Sequence, residues 1–397
     1  MDFVIHSDLI GSKRHLSSEG AWVEEIPDDC WIVGESSFKR DLLNAMMLAG
    51  VKMEVEPPKT FAKVMNNFSV GGFTPWEMVM PGDVYQEWAL GILDKVSKAY
   101  GAVDLSYYEN VFKKTCEVLE ALEPMKIHGK KWDYIASRDI QGVSQDVVDS
   151  FEPYEDGFVD KVKYSLTSTV TGRMTVKSGP EILRLNKELK PIIKSRYKGG
   201  KIVQFDYVSL EPRLALILAG HEVSDDIYSD INKMVFNNSL SRDVVKVSTL
   251  SVMYGAGAKS LSENVSLSLV ECKNIIKQLK EFFGILLRAK KLSKEYRTNK
   301  FIRNHFGRAV YSESGAVHRL FSNFNQSSAV DCANIGFWNI VQLWKGTRVI
   351  PLFLIHDNIG LDFPPEMLTE ENFQKTKDAG SKMPNLDGKL LMDHDII

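Results

Sequence analysis

Cysteine is scarce in this 397-residue chain, and Cys30, Cys116, Cys272 and Cys332 stand apart with no CxxC spacing. That pattern excludes a zinc ribbon or disulfide framework and fits a reducing compartment. Long apolar runs are missing too, since charges or proline break every stretch before it could span a membrane. The opening "MDFVIHSDLIGSK" has an early aspartate and no basic n-region, so it does not read as a signal peptide. There is no internal repeat and no low-complexity segment. Nor is there an excess of positive charge: 49 Lys and Arg face 52 Asp and Glu, for a net charge of −3. The overall balance therefore does not announce a polyanion binder. With 44% hydrophobic and 25% charged residues, the chain reads as a globular protein long enough for two or three domains.

The distribution of charge says more than its sum. Arg184, Lys187, Lys190, Lys194, Arg196, Lys198 and Lys201 are accompanied by one acid, Glu188. A second basic stretch runs from Arg288 to Arg308 with only Glu295 against it. Such runs are solvated faces or a track for a polyanion. Between them, "KIVQF" (201–205) predicts a strand, and "LEPRLALILAG" after it predicts a helix stopped by Gly220. Helices are expected over 225–236, 241–255 and 268–299, and "VIPLFLI" and "IGLDF" around "HDN" predict a β-hairpin. Residues 85–123 read as two amphipathic helices broken near Gly101, while "EPPKTF" and "VGGFTPWEMVMPG" read as loops.

Two aspartates stand at strand ends: Asp206 after "KIVQF", and Asp357 in the hairpin turn beside His356 and Asn358. Each could be an ordinary cap or turn residue. Together, on neighbouring strands, they could hold two divalent cations about 4 Å apart, a clamp suited to phosphoryl transfer. In "SRDVVKVSTLSVMYGAG", Arg242, Lys246, Leu250 and Tyr254 fall four apart and form one stripe on a helix. The stripe could meet a nucleoside triphosphate from phosphate to base, or could be a surface helix with its apolar members turned inward. Gly255 and Gly257 then permit a sharp turn or a close approach.

Taken together, these residues resemble family A (Pol I-type) DNA polymerases over roughly residues 165–365. "DYVSLEPR" resembles motif A, "RDVVKVSTLSVMYG" motif B, and "IHDN" motif C. "TGR" at 171–173, "NHFGRAV" at 304–310 and "NQSSAVD" at 325–331 resemble further family segments in the family's order. The resemblance implies a mixed α/β (α+β) right-hand fold with an antiparallel-sheet palm, helical fingers and a helical thumb. It implies that Asp206, the carbonyl of Tyr207 and Asp357 bind two Mg2+ ions, with Mn2+ as a substitute. Glu211 would exclude a ribose 2′-hydroxyl, Arg242 and Lys246 would grip the triphosphate, with Lys246 also protonating the pyrophosphate, and Leu250 and Tyr254 would complete the dNTP site. Arg173, Gln326, His356, Arg213, Arg308 and Gly255 would meet primer–template DNA. The implied reaction is addition of dNTPs to a primer 3′-end.

The sequence departs from the family at Leu250, where Phe or Tyr is usual, and at Asn358, where motif C has Glu. His318 stands where a minor-groove Arg is expected. Motifs B and C also resemble single-subunit RNA polymerases, so an RNA polymerase-like or primase-like enzyme is the alternative. Glu211 with Arg213 is the DNA polymerase form of motif A. A third reading is an idle primer–template binder. No D-x-E motif precedes residue 165, so a short, phage-like form without a proofreading exonuclease is expected. Residues 1–84 would be an exonuclease remnant or docking module, 85–165 the thumb, 166–220 palm, 221–300 fingers and 301–397 palm. The expected protein is a cytoplasmic monomer (in the host, if phage-encoded), free of membranes, working with a separate exonuclease, helicase or processivity factor.

Overall fold

The computed structural model describes residues 1–34, 39–56, 59–67, 74–138 and 144–397. The chain divides into two units: residues 1–116 with 307–309, and residues 117–306 with 310–397.

The first unit is built on a four-stranded sheet of β1 (Phe3–Ile5), β2 (His15–Ser17), β3 (Trp22–Val23) and β4 (Trp31–Val33). Its order is β3-β2-β1-β4, with β4 parallel to β1 and the other pairs antiparallel. Helix α1 (Leu42–Leu48) begins at Asp41, whose carboxylate accepts from the N–H groups of Leu43 and Asn44. Those donors have no partner inside the helix, which is why an aspartate starts it. Helix α2 (Gly82–Ala102) buries Tyr85, Ala89, Ile92, Leu93 and Val96, the three-and-four spacing of one face, against Phe3, Ile5, Leu16 and Val33.

The domain boundary expected at 84/85 is therefore not where the structure divides. α2 shares its core with the N-terminal sheet, and residues 85–165 do not form one unit. The two helices expected over 85–123 are present as α2 and the helical run from Tyr108 to Ala121. The expected loops "EPPKTF" and "VGGFTPWEMVMPG" lie partly outside the described residues; their described parts include the start of a helix over Lys59–Asn67 and a short helix, Trp76–Val79.

In the second unit, β5 (Lys201–Tyr207) passes into α3 (Leu210–Leu218) through Ser209, whose φ of 55° is left-handed. Then come α4 (Ile227–Phe236), α5 (Arg242–Met253), α6 (Ala258–Val265), α7 (Leu269–Phe282) and α8 (Ile285–Asn299). The single basic helix expected over 268–299 is thus two, broken at Gly284, where φ is +58°. Helix α9 (Val317–Trp344) leads to the hairpin of β6 (Ile350–Ile355) and β7 (Asn358–Phe363), followed by α10 (Glu370–Gly380) and β8 (Met392–Ile396).

The sheet order is β6-β7-β5-β8, antiparallel throughout. Strand alternation gives it two different faces. Val203, Phe205, Tyr207, Ile359, Leu361 and Phe363 belong to a core completed by Ala333, Phe337 and Ile340 of α9 and Phe373 of α10. Gln204, Asp206, Asn358, Asp362, Asp393 and Asp395 share the opposite face. A separate core joins Ala215 and Leu216 of α3 to Ile231, Val245, Leu261, Cys272 and Leu279 of the helices that follow.

Close approach to the sheet is set by Gly336 of α9. A Cβ there would lie 1.7 Å from Tyr207 Oη and 2.6 Å from the Gly380 carbonyl. Tyr207 Oη donates to that same carbonyl at 2.6 Å, tying the end of β5 to the end of α10. Among the described residues, no helix is long and apolar enough to cross a membrane.

Candidate active site

The site is assembled where β5 ends beside the β6–β7 turn. Asn358 is in register with Asp206, and the Tyr207 N–H donates to the Asp357 carbonyl at 3.2 Å. Two motifs 150 residues apart are thereby fixed to one another by sheet pairing. His356, with φ +54°, makes the tight turn that leaves its own ring exposed and Asp357 half-buried.

Both carboxyl groups are weaker acids than an ordinary aspartate. Burial, then the neighbouring Asp357, pushes Asp206 up to about 7. Burial is also the main cause raising Asp357, opposed by the turn's backbone hydrogen bond and by His356 and Arg173. The side chain of Asp206 is still open to solvent in the structure, so neighbouring charge and partial desolvation act on it together. Lys190 works in the opposite direction on Asp206, and Asp393, in register on the β8 side, adds to the repulsion.

Beside them, Glu211 at the first turn of α3 is a junction. It accepts from Arg173 Nη2 at 2.5 Å and from Tyr254 Oη at 2.8 Å. Arg173 comes from the loop after the strand Lys163–Ser165, and Thr169 Oγ1 bonds its carbonyl at 2.8 Å. Partial burial of a side chain that is still 45% exposed, then Glu211, push the Tyr254 phenol up to about 12, so it stays a donor. Asn325 of α9 adds a bond from Nδ2 to the Glu211 carbonyl at 3.3 Å. A recess of about 60 Å³ opens here, lined among others by Arg173, Glu211, Ala333, Asn334, His356 and Asp357.

The stripe on α5 has the exposure of a binding face. Arg242, Lys246 and Tyr254 are exposed, and Leu250 is half-buried. Ser241 caps the helix by accepting from the Val244 N–H. Arg242 is held by Asp226, Nε to Oδ2 at 2.8 Å, and lies over the Tyr228 ring. That bond holds the Asp226 carboxyl down at about 2. After α5, Gly255 (φ +79°) packs on His318, whose Cβ would be 2.9 Å from a Cβ at 255.

Two expected primer–template residues are placed elsewhere. Arg213 is 2% exposed, with its guanidinium spent on the carbonyls of Val208, Ser224 and Asp225 at 3.3, 2.6 and 3.0 Å. It is the structural pin between α3 and the loop before α4, and no face of it is left for DNA. Arg308 is 4% exposed and bonded to Tyr107 Oη at 3.4 Å in the first unit. Gln326 is half-buried on α9, one turn before Val330 of the recess. Sequence reasoning missed Asp226, Asn325, Lys190, Gln204 and Asp393. Asp226 carries a helix-start signal, with its carboxylate capping α4; Gln204, Asp393 and Asn325 gain meaning only from pairing across the sheet or along α9, and Lys190, on the short helix Lys187–Ile192, only from its bond to Gln204.

The donor set suits magnesium rather than zinc. Two carboxylates and a strand-end carbonyl leave most positions to substrate oxygens and water, as Mg2+ prefers. Among the described residues, no group of three or more His, Cys, Asp or Glu side chains could hold a metal by itself. Carboxylates driven above their ordinary pKa chiefly by burial, and for Asp206 also by Asp357, are groups a divalent cation would relieve.

Against solved structures, the chain is similar to the POL domain of Pol1 from M. smegmatis, in complex with DNA primer–template and dNTP. The TM-score is 0.67 at 14% identity, covering 96% of this chain and 91% of that one. The fold is therefore the mixed α+β right-hand polymerase fold, with the antiparallel sheet at its centre. A family model for DNA polymerase family A matches residues 105–387, and the chain belongs to that family.

Among curated proteins it is 26% identical over 258 residues to a DNA polymerase of Bacillus phage SP01, covering 52% of this chain and 27% of that one. It is 27% identical over 138 residues to a DNA polymerase of Mycobacterium phage L5, covering 34% and 23%. The chain thus matches about a quarter of the length of these curated relatives.

Proposed function

We propose that this chain is a DNA-directed DNA polymerase that adds dNTPs to a primer 3′-end by a two-metal mechanism. The observation that carries the reading is the convergence of Asp206, Asp357, Glu211, Arg173 and Tyr254 from four separate segments, with Asp206 and Asp357 joined by the Tyr207–Asp357 backbone bond. Asp206, Asp357 and the Tyr207 carbonyl would hold the metals. When bound, the ions supply acidification of the 3′-hydroxyl and neutralisation of charge at the phosphates.

This chain's own residues do the rest. Arg242 and Lys246 meet the triphosphate from α5, and Lys246 gives a proton to the departing pyrophosphate. Arg242 must leave Asp226 to do so. Glu211, clamped by Arg173 and Tyr254, presents a rigid carboxylate where a 2′-hydroxyl would fall. His356 and Gln326 face the primer–template. Residues 1–116 carry no proofreading in this reading, which rests on the missing D-x-E motif. Primer–template DNA and dNTPs are the partners, with a separate exonuclease, helicase or processivity factor beside a monomeric enzyme.

The test is primer extension with dNTPs and rNTPs in parallel, on the wild type and Glu211→Ala. Preference for dNTPs in the wild type, relaxed in the variant, is expected. Efficient rNTP use by the wild type would move the protein to the RNA polymerase-like reading.

A further inference from the structure

Motif C places Asn358 where the family has a carboxylate, and the surrounding hydrogen bonds dictate how its amide points. Lys190 Nζ lies 3.2 Å from Gln204 Oε1, and Gln204 Nε2 lies 3.3 Å from Asn358 Oδ1. A lysine ammonium can only donate. The Gln204 oxygen must therefore turn to Lys190, its NH2 must turn to Asn358, and the Asn358 oxygen is consumed. Gln204 is 5% exposed, so it has no water-filled alternative to that direction. What Asn358 has left is its NH2 group, for which no described residue supplies an acceptor. It sits in register beside Asp206 and next to Asp357 in the chain.

We propose that Lys190 and Gln204 are positioning residues that lock Asn358 as a hydrogen-bond donor to an anionic oxygen of the primer terminus, not a metal ligand. This deepens, and rests on, the polymerase reading above. An N–H group cannot coordinate a cation, yet it matches a phosphodiester oxygen arriving beside the two carboxylates. The direction of the amide is set by a lysine two hydrogen bonds away, through Gln204, so the loss of the family's carboxylate comes with its own hydrogen-bonding frame.

The experiment has two arms. The first titrates Mn2+ into the protein alone, followed by electron paramagnetic resonance, for the wild type and Asn358→Ala. The second measures binding of a fluorescent primer–template by anisotropy in EDTA, for the wild type, Asn358→Ala, Lys190→Gln, Lys190→Arg and the double variant Lys190→Gln/Asn358→Ala. Glutamine at 190 fills similar space but can accept as well as donate, and arginine can only donate.

The expected results are Mn2+ affinity within about twofold of wild type for Asn358→Ala, and about tenfold weaker primer–template binding for both Asn358→Ala and Lys190→Gln. The double variant should lose no more than either single change, and Lys190→Arg should bind like wild type. Loss of Mn2+ affinity by tenfold or more in Asn358→Ala overturns the proposal, as do additive effects in the double variant or a wild-type-like Lys190→Gln. A wild-type protein that binds no primer–template would instead overturn the polymerase reading, recognisable because its Mn2+ titration would be intact.

Discussion

Replacing Asp206 with Asn should make the protein more stable at neutral and alkaline pH while destroying its function. Asp206 has an ordinary carboxyl value of 3.8 and is pushed up to about 7 in the folded chain by burial and by Asp357. Below pH 3.8 the proton is bound in both folded and unfolded chains, so nothing is lost. Between 3.8 and about 7 the folded protein keeps a proton that the unfolded chain has released, so stability falls as pH rises through that window. At full weight the gap is worth about 4 kcal/mol. Solvent still reaches this side chain, and screening reduces the penalty to about 1–2 kcal/mol. At about 2–4 °C per kcal/mol, Asp206→Asn should melt roughly 2–8 °C higher than wild type at pH 8, and the two should converge near pH 4. Differential scanning fluorimetry across pH 4–8 reads this directly. Saturating Mn2+ should raise the wild type at pH 8 and leave the variant unmoved. A variant less stable than wild type at pH 8, or a gap independent of pH, would refute the idea that burial and Asp357 make the charged Asp206 costly to the folded chain.

Gly336→Ala should cost about 2 kcal/mol or more, because its Cβ would meet Tyr207 Oη at 1.7 Å and the Gly380 carbonyl, a backbone atom that cannot swing aside; urea unfolding midpoints measure it. Arg213→Met should destabilise by about 2–4 kcal/mol through three deserted carbonyls, while primer–template affinity per folded molecule stays at the wild-type level. Asp226→Asn keeps a capping side chain on α4 but removes the charge that holds Arg242, so stability should change by less than about 1 kcal/mol. Its KM for dNTP should fall by up to about fivefold in steady-state extension.

The parts of the fold that were legible are those whose local chemistry agrees with their surroundings. "KIVQF" is apolar enough to be a sheet interior, the "HDN" turn sits between two apolar runs, and α4, α5 and α7 begin at Asp226, Ser241 and Ser268, residues suited to capping. Asp206, Asp357, Glu211 and Tyr254, which the structure brings together, stood out in the sequence because short motifs carry them in a fixed order. Arg213 and Arg308, expected at DNA, are buried in the structure, and a cation in a motif looks alike in sequence whether it faces solvent or a buried partner. The 84/85 boundary failed for a related reason. The buried face of α2 announces that the helix packs, but nothing local says that its partner is the sheet formed by residues 3–33. Lys190, Gln204 and Asn358 form a chain only once two strands pair and the short helix Lys187–Ile192 packs beside them, and no spacing in the sequence could reveal it.

Primer extension with wild type, Asp206→Ala and Asp357→Ala, on a DNA template with dNTPs and Mg2+, tests the central claim most directly. The account predicts extension by the wild type and a loss of at least about a thousandfold in either variant, with primer–template binding retained. Normal extension by either variant, or a wild type that binds primer–template yet never extends it, would contradict it.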